Sequence, residues 1–155
     1  MTAVKGSPPT AEIERHVPML VGKLFAEVRD AFAAEDWGGL RQSHFRLMDH
    51  VPPGGIPITD LAAAIRMTKQ ACGQFVTNLV GTGHLEIHSD PADRRIRLVT
   101  LTPLGRRTVK AVNRRIRRIE NEWADRVGPA RYATFREVLD EIVAGSGTTR
   151  GRVDA

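Results

Sequence analysis

Apolar positions recur along this chain at two different spacings, and the changes of spacing divide it into elements. Between residues 11 and 36, Leu20, Val21, Leu24, Phe25, Val28 and Phe32 fall at helical period and predict an amphipathic helix. Pro18 suits its first turn, where the missing N–H costs nothing, and Trp37-Gly38-Gly39 breaks it. A second helix is predicted over residues 40–50, with Phe45, Leu47 and Met48 toward a core. After a stiff Pro/Gly loop come two short helices. Thr59 is the expected N-cap of the first, with Leu61, Ala62 and Ile65 on its apolar side. At Met67-Thr68 the phase resets, and Thr68 is expected to cap the second. There Ala71, Phe75, Val76, Leu79 and Val80 are expected to face inward, and Gly81 and Gly83 to end the helix.

The period then drops to two. Leu85 and Ile87 alternate with polar neighbours, as do Ile96, Leu98 and Thr100, and the loop between them holds the turn residues Asp90, Pro91 and Asp93. This is a hairpin. Thr102-Pro103 reads as the cap and first residue of a long helix, in which Val109, Val112, Ile116, Ile119, Trp123 and Val127 form a near-heptad seam. Gly128-Pro129 separates a last helix bearing Phe135, Val138, Leu139 and Ile142 on one side. The expected fold is mainly α with a small β-hairpin: a winged helix-turn-helix core flanked by N- and C-terminal dimerisation helices. Residues 1–10 read as a mobile arm and 146–155 as a disordered tail. Residues 11–145 read as one domain, with helices 11–36 and 106–145 flanking a reader at 40–105.

Charge is distributed unevenly over this plan. Residues 1–58 carry net −1, residues 59–118 net +8 and residues 119–155 net −2. A local positive field of that kind attracts polyanions. The outer side of the second short helix carries Thr68, Lys69, Gln70, Gly73, Gln74, Thr77 and Asn78, with no acidic residue. Gln and Asn suit bidentate contact with adenine, and Lys suits guanine or phosphate. Asp93, Arg94 and Arg95 lie at the hairpin tip, where arginines could probe a minor groove. Both sets also read as ordinary solvated surface, and so do the arginines of the first half of the long helix.

Residues 59–105 resemble the DNA-binding core of the MarR family of bacterial transcriptional regulators. The resemblance rests on Leu61-Ala62, the Met67-Thr68-Lys69-Gln70 junction and the stretch through Gly83. It extends through Asp90-Pro91-Ala92-Asp93-Arg94-Arg95 and Leu101-Thr102-Pro103-Leu104-Gly105. It implies a homodimeric winged helix-turn-helix repressor on a pseudo-palindromic double-stranded DNA operator, released by a small aromatic or phenolic effector. It also implies a short strand near residues 56–58 that pairs with the wing. By position, the effector pocket would be walled by His16, Met19, Phe25, His44, Phe45 and Met48. The dimer would use Leu20, Leu24, Val28, Ile116, Ile119, Trp123, Phe135, Leu139 and Ile142, some of which also serve as core. One departure stands out: Ile87-His88 occupies the start of the wing, where many members carry basic residues.

Other chemistry is poorly supported. The five histidines are scattered, so neither a metal site nor a cofactor is expected. No arrangement of nucleophile, acid and base suggests an enzyme. Cys72, the single cysteine, reads as a small hydrophobe, and family redox sensors instead carry a cysteine near the N-terminal helix. One cysteine, no long apolar run and no signal-peptide core point to a cytoplasmic protein with no membrane partner. Two other functions stay open, a non-specific architectural DNA binder and a winged-helix protein-interaction module.

Overall fold

The computed structural model describes residues 15–148 in two units, divided between Asp36 and Trp37. The first unit holds one helix, α1 (Val17–Ala33), with Pro18 in its first turn. It begins later than the expected residue 11; residues 11–14 and the expected mobile arm lie outside the described residues. Phe32 is buried, Leu20, Val21, Leu24 and Val28 are half-buried, and Phe25 is 66% exposed.

The second unit contains α2 (Gln42–Asp49), β1 (Ile56–Pro57), α3 (Ile58–Ala64) and α4 (Lys69–Gly81). These are followed by β2 (Leu85–Ser89), β3 (Arg97–Leu101), α5 (Pro103–Val127) and α6 (Pro129–Thr148). The three strands form an antiparallel sheet in the order β1-β3-β2. Pairing of β1 with β3 meets the expectation for residues 56–58. Helix α6 continues through residues 146–148, which the sequence assigned to the tail; residues 149–155 lie outside the described residues.

Three local expectations need correction. Helix α3 starts one residue before Thr59, with Pro57 at its cap position, so Thr59 lies inside the first turn. On β3 the inward phase is shifted by one. Val99 and Leu101 stand opposite Ile87 and Leu85, and Val99 is wholly buried, whereas Ile96 lies before the strand and is 39% exposed. Directly opposed residues share a face, so the hairpin register, not the apolar character of each residue, sets which side is covered. On α4 the buried residues are Cys72, Val76 and Leu79; Ala71 and Phe75 are half-buried and Val80 is exposed.

Both helices of the helix-turn-helix end in the same way. After α4, the Gly83 N–H donates to Val80 O (3.0 Å) and the His84 N–H to Leu79 O (2.9 Å), with Gly83 at φ +78°. After α3, the Arg66 N–H donates to Ala63 O (3.2 Å) and the Met67 N–H to Ala62 O (2.9 Å). These are paired bonds of the Schellman type. The second end has the glycine such a cap prefers, while the first has Arg66 at φ +55°, where a side chain is disfavoured. Arg46 of α2 steadies that first end by donating to Ile65 O at 3.1 Å.

The core joins α2, α3, α4 and the sheet through Leu47, Met48, Leu61, Leu79, Leu85 and Val99. Helix α5 leaves this core from a tight junction. Thr102 caps it, accepting the Gly105 N–H at 3.1 Å, while its own hydroxyl proton lies toward Gly83 O (2.6 Å) and His84 O (3.2 Å). Gly105 is buried there, and a Cβ on it would overlap the His84 carbonyl oxygen and stand 3.0 Å from Leu101 Cδ2. Gly105→Ala should therefore lower the unfolding free energy by about 3 kcal/mol, the upper range of overpacking costs, because backbone must move. Denaturant unfolding checks this, and a loss below about 1 kcal/mol would show that the junction yields easily.

Candidate nucleic-acid interface

Thr68 occupies the cap position of α4, and its Oγ1 accepts the Ala71 N–H at 3.1 Å. That bond fixes where the helix begins and presents Lys69 and Gln70 on its first turn. Helical period then brings Lys69, Gln70, Gln74, Thr77 and Asn78 onto the exposed side, opposite buried Cys72, Val76 and Leu79. The Thr77 hydroxyl donates to Gly73 O at 2.9 Å, which leaves its lone pairs to accept. The amides of Gln74 and Asn78 offer donors and acceptors beside it. Gly73 makes a half-buried dent in this side, and a Cβ placed there meets nothing within 4 Å.

Turn chemistry builds the wing tip. Asp90 Oδ1 accepts the Ala92 N–H at 2.7 Å, and the Asp90 and Ile96 amides close the loop onto Ile96 O and Asp93 O, both at 2.9 Å. Asp93 then grips Arg95. Its Oδ1 accepts the Arg95 backbone N–H (3.0 Å) and Nε (3.1 Å), and its Oδ2 accepts Nη2 (3.0 Å). These bonds hold the Asp93 carboxyl below its ordinary pKa and push the Arg95 guanidinium above its own. The Arg95 side chain is 91% exposed, so the grip aims it outward and leaves it accessible. Asp93 thus acts by orienting Arg95, and its like charge makes it a poor phosphate contact. Arg94 is exposed next to it.

The sequence passed over Arg97, exposed on β3 opposite Ser89, because it took Ile96 as in phase with the strand. It also passed over Arg66, whose left-handed turn between α3 and α4 carries no glycine to mark it. His88 is turned toward its own strand, with Nε2 3.2 Å from Glu86 Oε1. On α5, Arg106 donates to Leu101 O at 2.6 Å, tying its guanidinium to the helix start.

The remaining expected site residues are placed as follows. His16, Met19 and Phe25 belong to the first unit and are exposed. In the second unit Phe45 and Met48 are buried core, Phe45 packing edge-on to Trp37 at 5.2 Å, while half-buried His44 contacts Phe75. Of the dimerisation candidates, Ile119 is 3% exposed and so has almost no surface left for a partner. Ile116, Phe135 and Ile142 are 37%, 39% and 60% exposed, and Trp123 and Leu139 are half-buried. Tyr132 pins α6 to α5 by donating to Glu120 Oε1 at 3.3 Å. Cys72 is buried, its thiol directed at Ile58 O (3.9 Å), and burial pushes its pKa up, which disfavours the reactive thiolate. Among the described residues no group of three His, Cys, Asp or Glu is placed to hold a metal ion, and no helix is long and apolar enough to cross a membrane.

An exposed polar helix face beside an outward arginine hairpin is a winged helix-turn-helix arrangement. Comparison with solved structures shows the same fold in the MarR transcriptional regulators. The crystal structure of MarR superposes with a TM-score of 0.75, at 18% identity, over 90% of this chain and 97% of that one. BpsR of Bordetella bronchiseptica, whose DNA binding is regulated by 6-hydroxynicotinic acid, superposes at 0.65, with 22% identity over 84% and 95%. In sequence, an uncharacterised protein of Mycobacterium tuberculosis is 28% identical over 105 residues, 68% of this chain and 73% of its own length. No family model matches the chain.

Gly73→Ala tests whether the outer side of α4 is open. A methyl in empty space should raise stability by about 0.5–1 kcal/mol, the helix-propensity gain of alanine. Thermal or denaturant unfolding reads it out, and a fall in stability would mean that another part of the chain covers this face.

Proposed function

We propose that this chain is a sequence-specific double-stranded DNA-binding transcriptional repressor that acts as a homodimer on a pseudo-palindromic operator. The observation that carries the proposal is the union of two surfaces on one unit: the exposed Lys69, Gln70, Gln74, Thr77 and Asn78 of α4, and the outward Arg94 and Arg95 of the wing. In this reading α4 lies in the major groove, where Gln70, Gln74 and Asn78 read base edges, and Lys69 takes phosphate or guanine. The wing arginines enter the flanking minor groove, whose narrow walls concentrate negative potential. The basic excess of residues 59–118 supplies the sequence-independent part of the affinity.

Two-fold pairing follows from operator recognition, since one α4 reads only one half-site. The apolar residues left exposed on α5 and α6, namely Ile116, Phe135 and Ile142, support it. So does the half-buried stripe of Leu20, Leu24 and Val28 on α1. Release by a small aromatic molecule is proposed by likeness to BpsR. Of the candidate wall residues in the second unit, half-buried His44 retains surface, whereas Phe45 and Met48 are already packed.

Base readout and charge should separate on mutation. Gln74→Ala should change the preference at one operator position by about 1–3 kcal/mol and leave other positions alone. Arg94→Ala should weaken binding to every sequence and lower the salt slope by about one. Binding titrations on a panel of single-base operator variants at several salt concentrations distinguish them. If both substitutions weakened all duplexes alike, an architectural binder would be the better account.

A further inference from the structure

His44 sits in the first turn of α2, and its Nδ1 accepts the Arg41 N–H at 2.9 Å. That bond requires an unprotonated Nδ1, so the ring is neutral with its proton on Nε2. The same ring meets Phe75 of α4 edge-on, with centroids 5.2 Å apart and planes at 71°. Phe75 directly follows Gln74, so this contact sets the roll of the recognition helix from behind. His84 stands where α4 hands over to β2. The Thr82 hydroxyl donates to Leu79 O (3.2 Å), which leaves the His84 Nδ1–H to donate to Thr82 Oγ1 at 2.8 Å. Its carbonyl lies in the junction with Thr102 and Gly105.

Both rings are held neutral. Burial, then the Arg41 charge, then His84 lower the His44 pKa; burial lowers that of His84, with a hydrogen bond to the Thr82 backbone working the other way. The charge acting on His44 is therefore that of Arg41, at the start of its own helix, joined by His84 once that ring is protonated, while α4 presents the uncharged Phe75. Resting on the DNA-binding reading, we infer that His44 forms an acid-released latch between α2 and the recognition helix.

Protonation of His44 puts a hydrogen on Nδ1, which then faces the Arg41 N–H donor to donor. The new cation is repelled by Arg41 and by a protonated His84. Attraction between an imidazolium and the Phe75 ring opposes release, but it cannot restore the reversed hydrogen bond at the helix start. The sign follows from linkage. With both folded-state pKa values depressed, the unfolded chain takes up protons first, near the ordinary imidazole value of about 6.5. The latch contributes fully above that pH and is lost as pH falls through the lowered folded values. Any gain of positive charge in acid works the opposite way on affinity, because it draws DNA in. The test therefore compares variants.

His44→Asn keeps an acceptor near the Nδ1 position and removes the titration. Arg41 amide exchange, corrected for the intrinsic pH dependence, and operator affinity are measured on the full chain at about pH 7.5 and about pH 5.5. In the wild type, Arg41 exchange should rise about tenfold or more in acid, a local opening, and in the Asn variant it should not. The ratio of affinity at the higher pH to that at the lower should be about tenfold larger for the wild type than for the variant. Equal Arg41 protection at both pH values in the wild type, or the same acid response in both proteins, would overturn the latch. If neither protein binds any duplex at either pH, the DNA reading fails, and the wild-type exchange data still decide the latch by themselves.

Discussion

Thr102 and Gly105 hold together the three elements whose mutual angles matter most. The Thr102 backbone N–H donates to His84 O at 3.1 Å, its hydroxyl reaches Gly83 O, and Gly105 lets α5 lie directly on the His84 carbonyl. The end of the recognition helix, the start of the wing and the start of the long helix therefore share a few ångströms of backbone. In the proposed function a rigid joint of that kind lets two separate groove contacts be made in register, since a loose hinge would lose one contact whenever it made the other. The apolar core beneath, through Leu79, Leu85 and Val99, stiffens the same joint from the inside.

From this joint the proposed contact surfaces are presented by short-range devices. Thr68 fixes the first turn of α4, Asp93 aims Arg95, and the Asp90 turn sets the tip. Each uses a hydrogen bond between residues two or three apart. The wing ion pair lies at the surface, with the Arg95 side chain 91% exposed, so it is worth little to stability. Its value lies in orientation, which reduces the conformational freedom that Arg95 would lose on entering a groove. His44 and Phe75 play the corresponding part behind α4, so the reading helix is steadied on its inner side as well as at both ends.

Much of this was legible in the sequence because its signals are local. Thr68 and Thr102-Pro103 announce helix starts, Gly83 a helix end, and Asp90-Pro91 a turn. The outer residues of α4, half-buried Gly73 apart, are exposed as expected because polar character and helical period agree there. What was missed depends on partners distant in sequence. Val99 replaced Ile96 as the inward residue because the pairing with β2 sets the phase of β3. Cys72 lies deeper than Val80 because of how α4 packs, which its own composition does not encode. Arg66 adopts a left-handed turn normally marked by glycine, so no residue flagged it. The dimer seam was over-read at Ile119, where an apolar heptad position is already consumed inside the chain.

The central claim is that this joint presents a sequence reader that works in pairs. Selection from a random duplex library at two salt concentrations, with the mass of the free protein measured in solution, tests it most directly. The account predicts a dimer that enriches an inverted repeat with half-sites about one helical turn apart, and an affinity that falls steeply as salt rises. Salt-dependent binding without enrichment of any sequence, or no duplex binding even at low salt, would contradict it.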